Sequence, residues 1–250
     1  YGKNAVFLRN TTVTKDTAWN NDLPVVILGP LTINETATLT INKGTKVFCH
    51  ADAYITVNGS LNIKGEQGDD KVVFTNDRLD EPYRYFPGSW PGISFSETSK
   101  ENILKNLILM NAKNAISVKG YSADTKLSLE QCMIDNISDT AIAAYNTNLS
   151  AVNCLITNCG QNIVLINGGN YNFTHCTVAS YANLYFNHLL PVLSINNGTT
   201  ANTTAGFINC IFWGDGGITD NEIELLNTGG GSLTCNFQNV LYKGAAVAGA

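Results

Sequence analysis

Charge is scarce in this sequence. Lys, Arg, Asp and Glu make up 14% of its 250 residues, and 15 basic against 20 acidic side chains leave a net charge of −5. No basic face is available to neutralise phosphates, which sets nucleic acid aside as a partner. Long apolar runs are missing: nothing approaches the roughly 18 residues that a membrane-spanning helix requires. The residues from Tyr1 onward also lack the charged-then-apolar order of a signal peptide. Metal-ligand spacing is absent too. No Cys-x-x-Cys pair occurs, and the three histidines, His50, His175 and His188, are scattered, so neither a metal nor a cofactor is expected. Apolar residues at a 3.6-residue spacing are lacking throughout, which excludes a repeat built on helices.

What is present is one phrase written three times. Leu127-x-Leu129-x-x-Cys132-x-Ile134-x-Asn136 returns as Leu149-x-Ala151-x-x-Cys154-x-Ile156-x-Asn158, then as Tyr171-x-Phe173-x-x-Cys176-x-Val178-x-Ser180, at a step of 22 residues. The pairs Ala141-Ile142, Ile163-Val164 and Tyr185-Phe186 keep that step, so Tyr185 and Phe186 read as core. Alternating apolar positions at a fixed period of this size mark a stacked solenoid. Ile33, Leu39 and Ile41 recur earlier as Ile55, Leu61 and Ile63, while Leu104, Leu107, Leu109 and Asn111 precede the main phrase by 25 residues. Cys210 follows Cys176 after 34, and Cys235 with Phe237 read as the next repeat, 25 further on. The period fits an all-β parallel β-helix of about nine rungs of ~22 residues, with three short strands per rung.

Stacking like upon like gives two ladders. Cys132, Cys154, Cys176, Cys210 and Cys235 form a buried column of free thiols, because parallel Cβ vectors on neighbouring strands suit a disulfide poorly. Asn111, Asn136 and Asn158 form an amide ladder beside it. One domain is expected. Residues 1–22 are a lead-in or cap lacking the repeat, residues 23–243 the solenoid, with insertions at 76–92 and 187–204, and residues 244–250 an irregular tail. A last rung left open exposes strand edges, so the natural chain is expected to continue or a partner to cover this end.

The insertion at 76–92 concentrates charge and aromatic rings. In a binding reading, Tyr83, Tyr85 and Trp90 are flat platforms, and Arg78, Arg84, Asp77 and Asp80 are polar contacts for a sugar or a protein. In the alternative structural reading, Phe86 and Trp90 fold the insertion against the coil. A catalytic reading takes Asp77, Asp80 and Glu81 with Arg78 and Arg84 as an acid-and-base group. A second, purely acidic group comprises Asp215, Asp220, Glu222 and Glu224. No catalytic motif surrounds either group, so no catalytic residue is assigned.

The stretches Leu31-Thr32-Ile33, Ala37-Thr38-Leu39-Thr40-Ile41, Gly44-Thr45-Lys46-Val47-Phe48, Asp77-Arg78-Leu79-Asp80 and Pro87-Gly88-Ser89-Trp90-Pro91-Gly92-Ile93 resemble the right-handed parallel β-helix proteins of the pectin-lyase-like superfamily. The resemblance spans about Leu23 to Tyr242 and is narrower towards the β-helix surface lipoproteins of Bacteroidota, although Asn76 and Pro91 stand where that family would have glycine. It implies a right-handed coil, export to the outer membrane or cell surface, and a lipid anchor preceding Tyr1 as the membrane contact. It also implies a partner that is an outer-membrane transporter or barrel complex, or a polysaccharide. The expectation is a non-catalytic β-helix that binds a glycan or serves as a subunit of a surface complex. A polysaccharide lyase or glycoside hydrolase using the insertion loop is the alternative.

Overall fold

The computed structural model describes residues 4–246. It is all-β with parallel pairing throughout, a parallel β-solenoid, and its helical content is two single 3-10 turns, Gly68–Asp70 and Tyr83–Tyr85. No helix among the described residues is long and apolar enough to cross a membrane.

The strands fall into three lanes that the chain visits in turn. The first lane stacks Val6–Leu8, Val25–Ile27, Lys46–Cys49, Val72–Asn76 and Leu107–Met110, and continues through Thr177–Tyr181 and Ile211–Asp215 to Leu241–Tyr242. The second holds Thr11–Val13, Leu31–Ile33, Tyr54–Val57, Gly92–Phe95, Ile116–Lys119, Leu193–Asn197 and Ile223–Asn227. The third holds Thr17–Trp19, Thr38–Asn42, Ser60–Lys64, Asn102–Lys105, Leu127–Glu130, Thr203–Ile208 and Leu233–Gln238. In the middle, Met133–Val152 and Leu155–Thr174 run through all three lanes without a break.

Asparagine makes the corners. Among the described residues, ten of the thirteen non-glycine residues with positive φ are asparagine. That is the common residue best suited to the left-handed region, because its short amide bonds locally. Asn106, Gln131, Asn153, His175, Asn209 and Asn239, with φ between 47° and 56°, each stand between a third-lane strand and the next first-lane strand. A single residue there redirects the chain. Asn111, Asn136 and Asn158 do the same after the first lane, so the expected amide ladder is also a column of corners.

Inward residues fill the interior. Phe173, Phe207 and Phe237 stack at ring separations of 5.4 and 5.0 Å. All seven cysteines are free, six of them buried. The register aligns Cys132, Cys154, Cys176 and Cys210, but Cys235 pairs with Ala205 in the third lane, and Val240 takes the next place in the column. Cys-x-Phe alternation is the same in both lanes, so sequence alone put Cys235 one lane out. The true step there is Phe207 to Phe237.

Other boundaries move for similar reasons. Residues 6–19, set apart for lacking the apolar repeat, form a coil with one strand in each lane, because backbone pairing needs no apolar side chain. Ile55 pairs with Leu31 rather than Ile33. Leu193-Ser194-Ile195 pairs with Ile163-Val164-Leu165, which places the second insertion at 182–192 instead of 187–204. Tyr185 is therefore a loop residue, half exposed, while Phe186 is buried. The tail at 247–250 lies outside the described residues.

A cleft between two insertions as the candidate functional site

The first insertion leaves the solenoid at Asn76 and returns at Gly92. Gly92 has φ +110°, and a Cβ there would overlap the Asn114 carbonyl oxygen of the next coil. Between these points three amides on successive coils grip the loop backbone. Buried Asn76 donates through Nδ2 to the carbonyls of Arg78 (3.0 Å) and Tyr83 (3.2 Å). Asn111 Nδ2 donates to Asn76 Oδ1 (2.7 Å), Thr75 Oγ1 (3.0 Å) and the Arg84 carbonyl (2.9 Å). Asn136 Nδ2 donates to Asn111 Oδ1 (2.6 Å) and the Tyr85 carbonyl (2.8 Å). Two of the three amides of the ladder expected from sequence, Asn111 and Asn136, thus join Asn76 in fastening a loop, while Asn158 Nδ2 turns to Asp135 Oδ1 instead (2.9 Å).

The candidate residues of this loop divide into two kinds. Trp90 is 1% exposed, stacks on Phe74 at 6.3 Å and donates Nε1–H to the Met110 carbonyl at 2.9 Å. It belongs to the core and is no surface platform. The remainder lie on the outside but are mostly satisfied by one another. Arg78 donates twice to Asp80, at 2.8 Å each, and lies 4.1 Å above the Tyr83 ring. The guanidinium holds Asp80 down at about 2. Arg84 is 3.6 Å from Glu81 and 5.1 Å above Tyr85. Asp77 Oδ2 is 2.7 Å from His50 Nδ1. This acid-and-base group does not converge on a shared cavity; of its members, Arg84 alone lines the cleft described next.

The second insertion meets the first. Phe86 and Tyr185 pack edge to face at 5.7 Å, which places both insertions on the side of the first lane. Between them opens a cleft of about 800 Å³. Leu79, Arg84 and Tyr85 form one wall, and Asn183, Leu184 and Tyr185 the other. Phe48, Thr75, Met110 and Asp135 form the floor. Those floor residues occupy successive outward positions of the first lane, in register with one another and with Phe7 and Val26. The neighbouring outward column reads Lys46, Val73, Ile108, Met133, Leu155, Thr177, Ile211, Leu241. An outward strand face is ordinarily polar when it meets water. Here it is largely apolar along most of its length, and Phe7, Leu155, Ile211 and Leu241 are exposed. The signal was in the sequence: period-two alternation fails in these strands, where apolar residues occupy both parities.

Chemically the cleft is plain. Its lining carries one carboxylate, Asp135, whose Oδ1 accepts from Thr157 Oγ1 (2.7 Å) and Asn158 Nδ2 (2.9 Å). Glycoside hydrolysis by the usual route takes two carboxyl groups flanking the bond. The second acidic group is dispersed. Glu222 is buried 2.9 Å from His188 Nε2, and Glu224 accepts from Ser194 Oγ at 2.8 Å. Among the described residues no cluster of three or more His, Cys, Asp or Glu is placed to hold a metal ion. Comparison of the chain with protein-family models, with curated proteins and with solved structures gave no match.

Proposed function

We propose that this protein is an exported, non-catalytic β-helix of the cell surface or outer membrane that docks a protein partner on its first-lane face, as a subunit of a surface complex. The pectin-lyase-like resemblance supports the right-handed coil, export and a lipid anchor of the Bacteroidota kind. The apolar outward double column running into the cleft carries the docking reading. Each outward residue covers about 30 Å² of sheet, so the two columns offer roughly 500 Å². The insertion walls bring this towards the ~800 Å² per partner of a stable interface. A protein partner is favoured over a polysaccharide because the amides at the cleft are engaged. Asn76, Asn111 and Asn136 direct their Nδ2 groups to loop carbonyls and one another, which leaves the floor without free amide donors for sugar hydroxyls, and the remaining donors, Arg84, Asn183 and the two tyrosines, stand in the walls. A second reading, a neutral glycan held between Tyr85 and Tyr185, rests on those two rings being exposed at the rim.

The test is purification of the native full-length protein from its own membranes, beside Leu184→Asp and Leu155→Lys. Leu184 is 89% exposed, so its substitution should leave the melt unchanged. A stoichiometric protein partner retained by the wild type and lost by both variants is the expected result. The reading fails if no protein is retained while a glycan panel shows binding, or cleavage, that Leu184→Asp abolishes.

A further inference from the structure

The second insertion has two sides. Asn183–Tyr185 faces the cleft, whereas Leu189 and Pro191 line a separate groove of about 640 Å³, opposite Ile218 and Leu225. Between the two arms His188 is pinned: its imidazole and the Glu222 carboxylate are both buried, and Glu222 also accepts the Val192 N–H at 3.3 Å. The facing turn is fixed to the same residue. Ile218 N–H donates to the His188 carbonyl at 3.1 Å, and a Cβ at Gly217 would collide with that carbonyl. The groove walls are thus tied through one anchor, and its opening is preformed.

Its surface is unlike the first-lane face. Ile218 is 76% and Leu189 52% exposed, an apolar surface in contact with water. Asp220 and Glu224 line the same groove, and none of the lining residues is basic. Neither carboxylate is in a salt bridge among the described residues. The nearby cation, Lys243, turns its ammonium to the carbonyls of Gly214 (3.0 Å) and Thr219 (3.3 Å). Asp215 closes the adjacent strand and is exposed.

We propose that this groove is a second docking surface, independent of the cleft, and that it takes an amphipathic segment of a protein partner in which basic side chains flank apolar ones. The apolar side chains of such a segment cover Ile218 and Leu189, and its cations meet Asp220 and Glu224. Apolar burial supplies affinity, while the charges supply orientation and a salt dependence. With docking on both arms, the second insertion becomes the junction of two partners.

The experiment uses the full chain and a synthetic Leu/Lys amphipathic peptide of about 18 residues, five helical turns. A Leu/Glu peptide of equal length serves as control, and binding is followed by calorimetry and anisotropy. Saturable one-to-one binding of the Leu/Lys peptide alone is expected, weakened at least tenfold by Ile218→Asp and several-fold by Asp220→Lys or by raised salt. Leu184→Asp should leave it unchanged, which separates this proposal from the reading of the cleft. The proposal is overturned if the Leu/Lys peptide binds Ile218→Asp as well as wild type, since that is general adsorption to an acidic protein. It is equally overturned if the chain self-associates and Ile218→Asp abolishes the association, because the groove is then the seat of a second copy.

Discussion

Replacing Asn111 should unfasten the first insertion while leaving the solenoid standing. Asn111 is 3% exposed, adopts φ +64°, donates to three acceptors and accepts from Asn136. Asn111→Gly keeps the left-handed corner accessible and deletes only the side-chain bonds. The Asn111 amide has two N–H protons for these three acceptors, so at a net worth of about 1 kcal/mol per hydrogen bond the donated bonds amount to roughly 2 kcal/mol. Because 1.4 kcal/mol is a factor of ten, opening of the loop should rise roughly thirtyfold. Asn111→Ala adds the cost of a left-handed corner carrying a Cβ, about 1–2 kcal/mol, and that cost falls on the coil rather than the loop. Hydrogen exchange read by mass spectrometry separates the two effects. Peptides covering residues 77–89 should exchange roughly thirtyfold faster in both variants, and the strands flanking the corner, Leu107–Met110 and Ile116–Lys119, should be affected in Asn111→Ala only. Unchanged protection of residues 77–89 in Asn111→Gly would refute the idea that the amide ladder holds the loop.

Three further outcomes follow from the buried groups. Trp90→Ala should lower stability by about 3–5 kcal/mol in urea titration, because it empties a core site against Phe74 and strands the Met110 carbonyl. Tyr85→Ala, at an exposed ring, should cost under about 1 kcal/mol. His188→Ala should cost about 3–5 kcal/mol by leaving Glu222 buried without its partner, and His188→Gln, which keeps a donor, should recover part of that by the same titration. The thiol column should make the fold sensitive to alkali. Cys154, with the Cys132 thiol beside it, and Cys176, with the Cys154 thiol beside it, are each pushed up to about 12 in the buried column. Free thiols of an unfolded chain ionise near 8.5. A folded pKa raised above the unfolded one gives stability that is whole below the unfolded value and lost as pH climbs through the folded value, here between about 9 and 12. Urea midpoints should fall across that window, and fall less in Cys154→Ala; an identical pH profile for that variant would clear the thiol of responsibility.

By itself the sequence determined the solenoid and much of its register. In a stacked coil each rung touches only its neighbours, so the contacts that define the fold recur at one local period, and inward residues must match from rung to rung. That is why Leu127, Leu149 and Tyr171, or Cys132, Cys154 and Cys176, could be aligned without coordinates. Where coil length varied, the period lost its hold. Alternation alone sets Cys235 beside Cys210 although it lies beneath Ala205, and the 22-residue step makes Tyr185 core although it stands at the rim of a cleft.

Tertiary structure alone decided the sites. Trp90 and Tyr85 sit five residues apart in one aromatic loop, yet one is core and the other surface, because the Asn111 and Asn136 amides draw the loop down over Phe74. The meeting of Phe86 with Tyr185 bridges insertions about a hundred residues apart in sequence, and no local pattern encodes it. Each insertion answers to its own short segment. The cleft between them answers to the stacking that brings distant coils within reach, which is a property of the assembled solenoid.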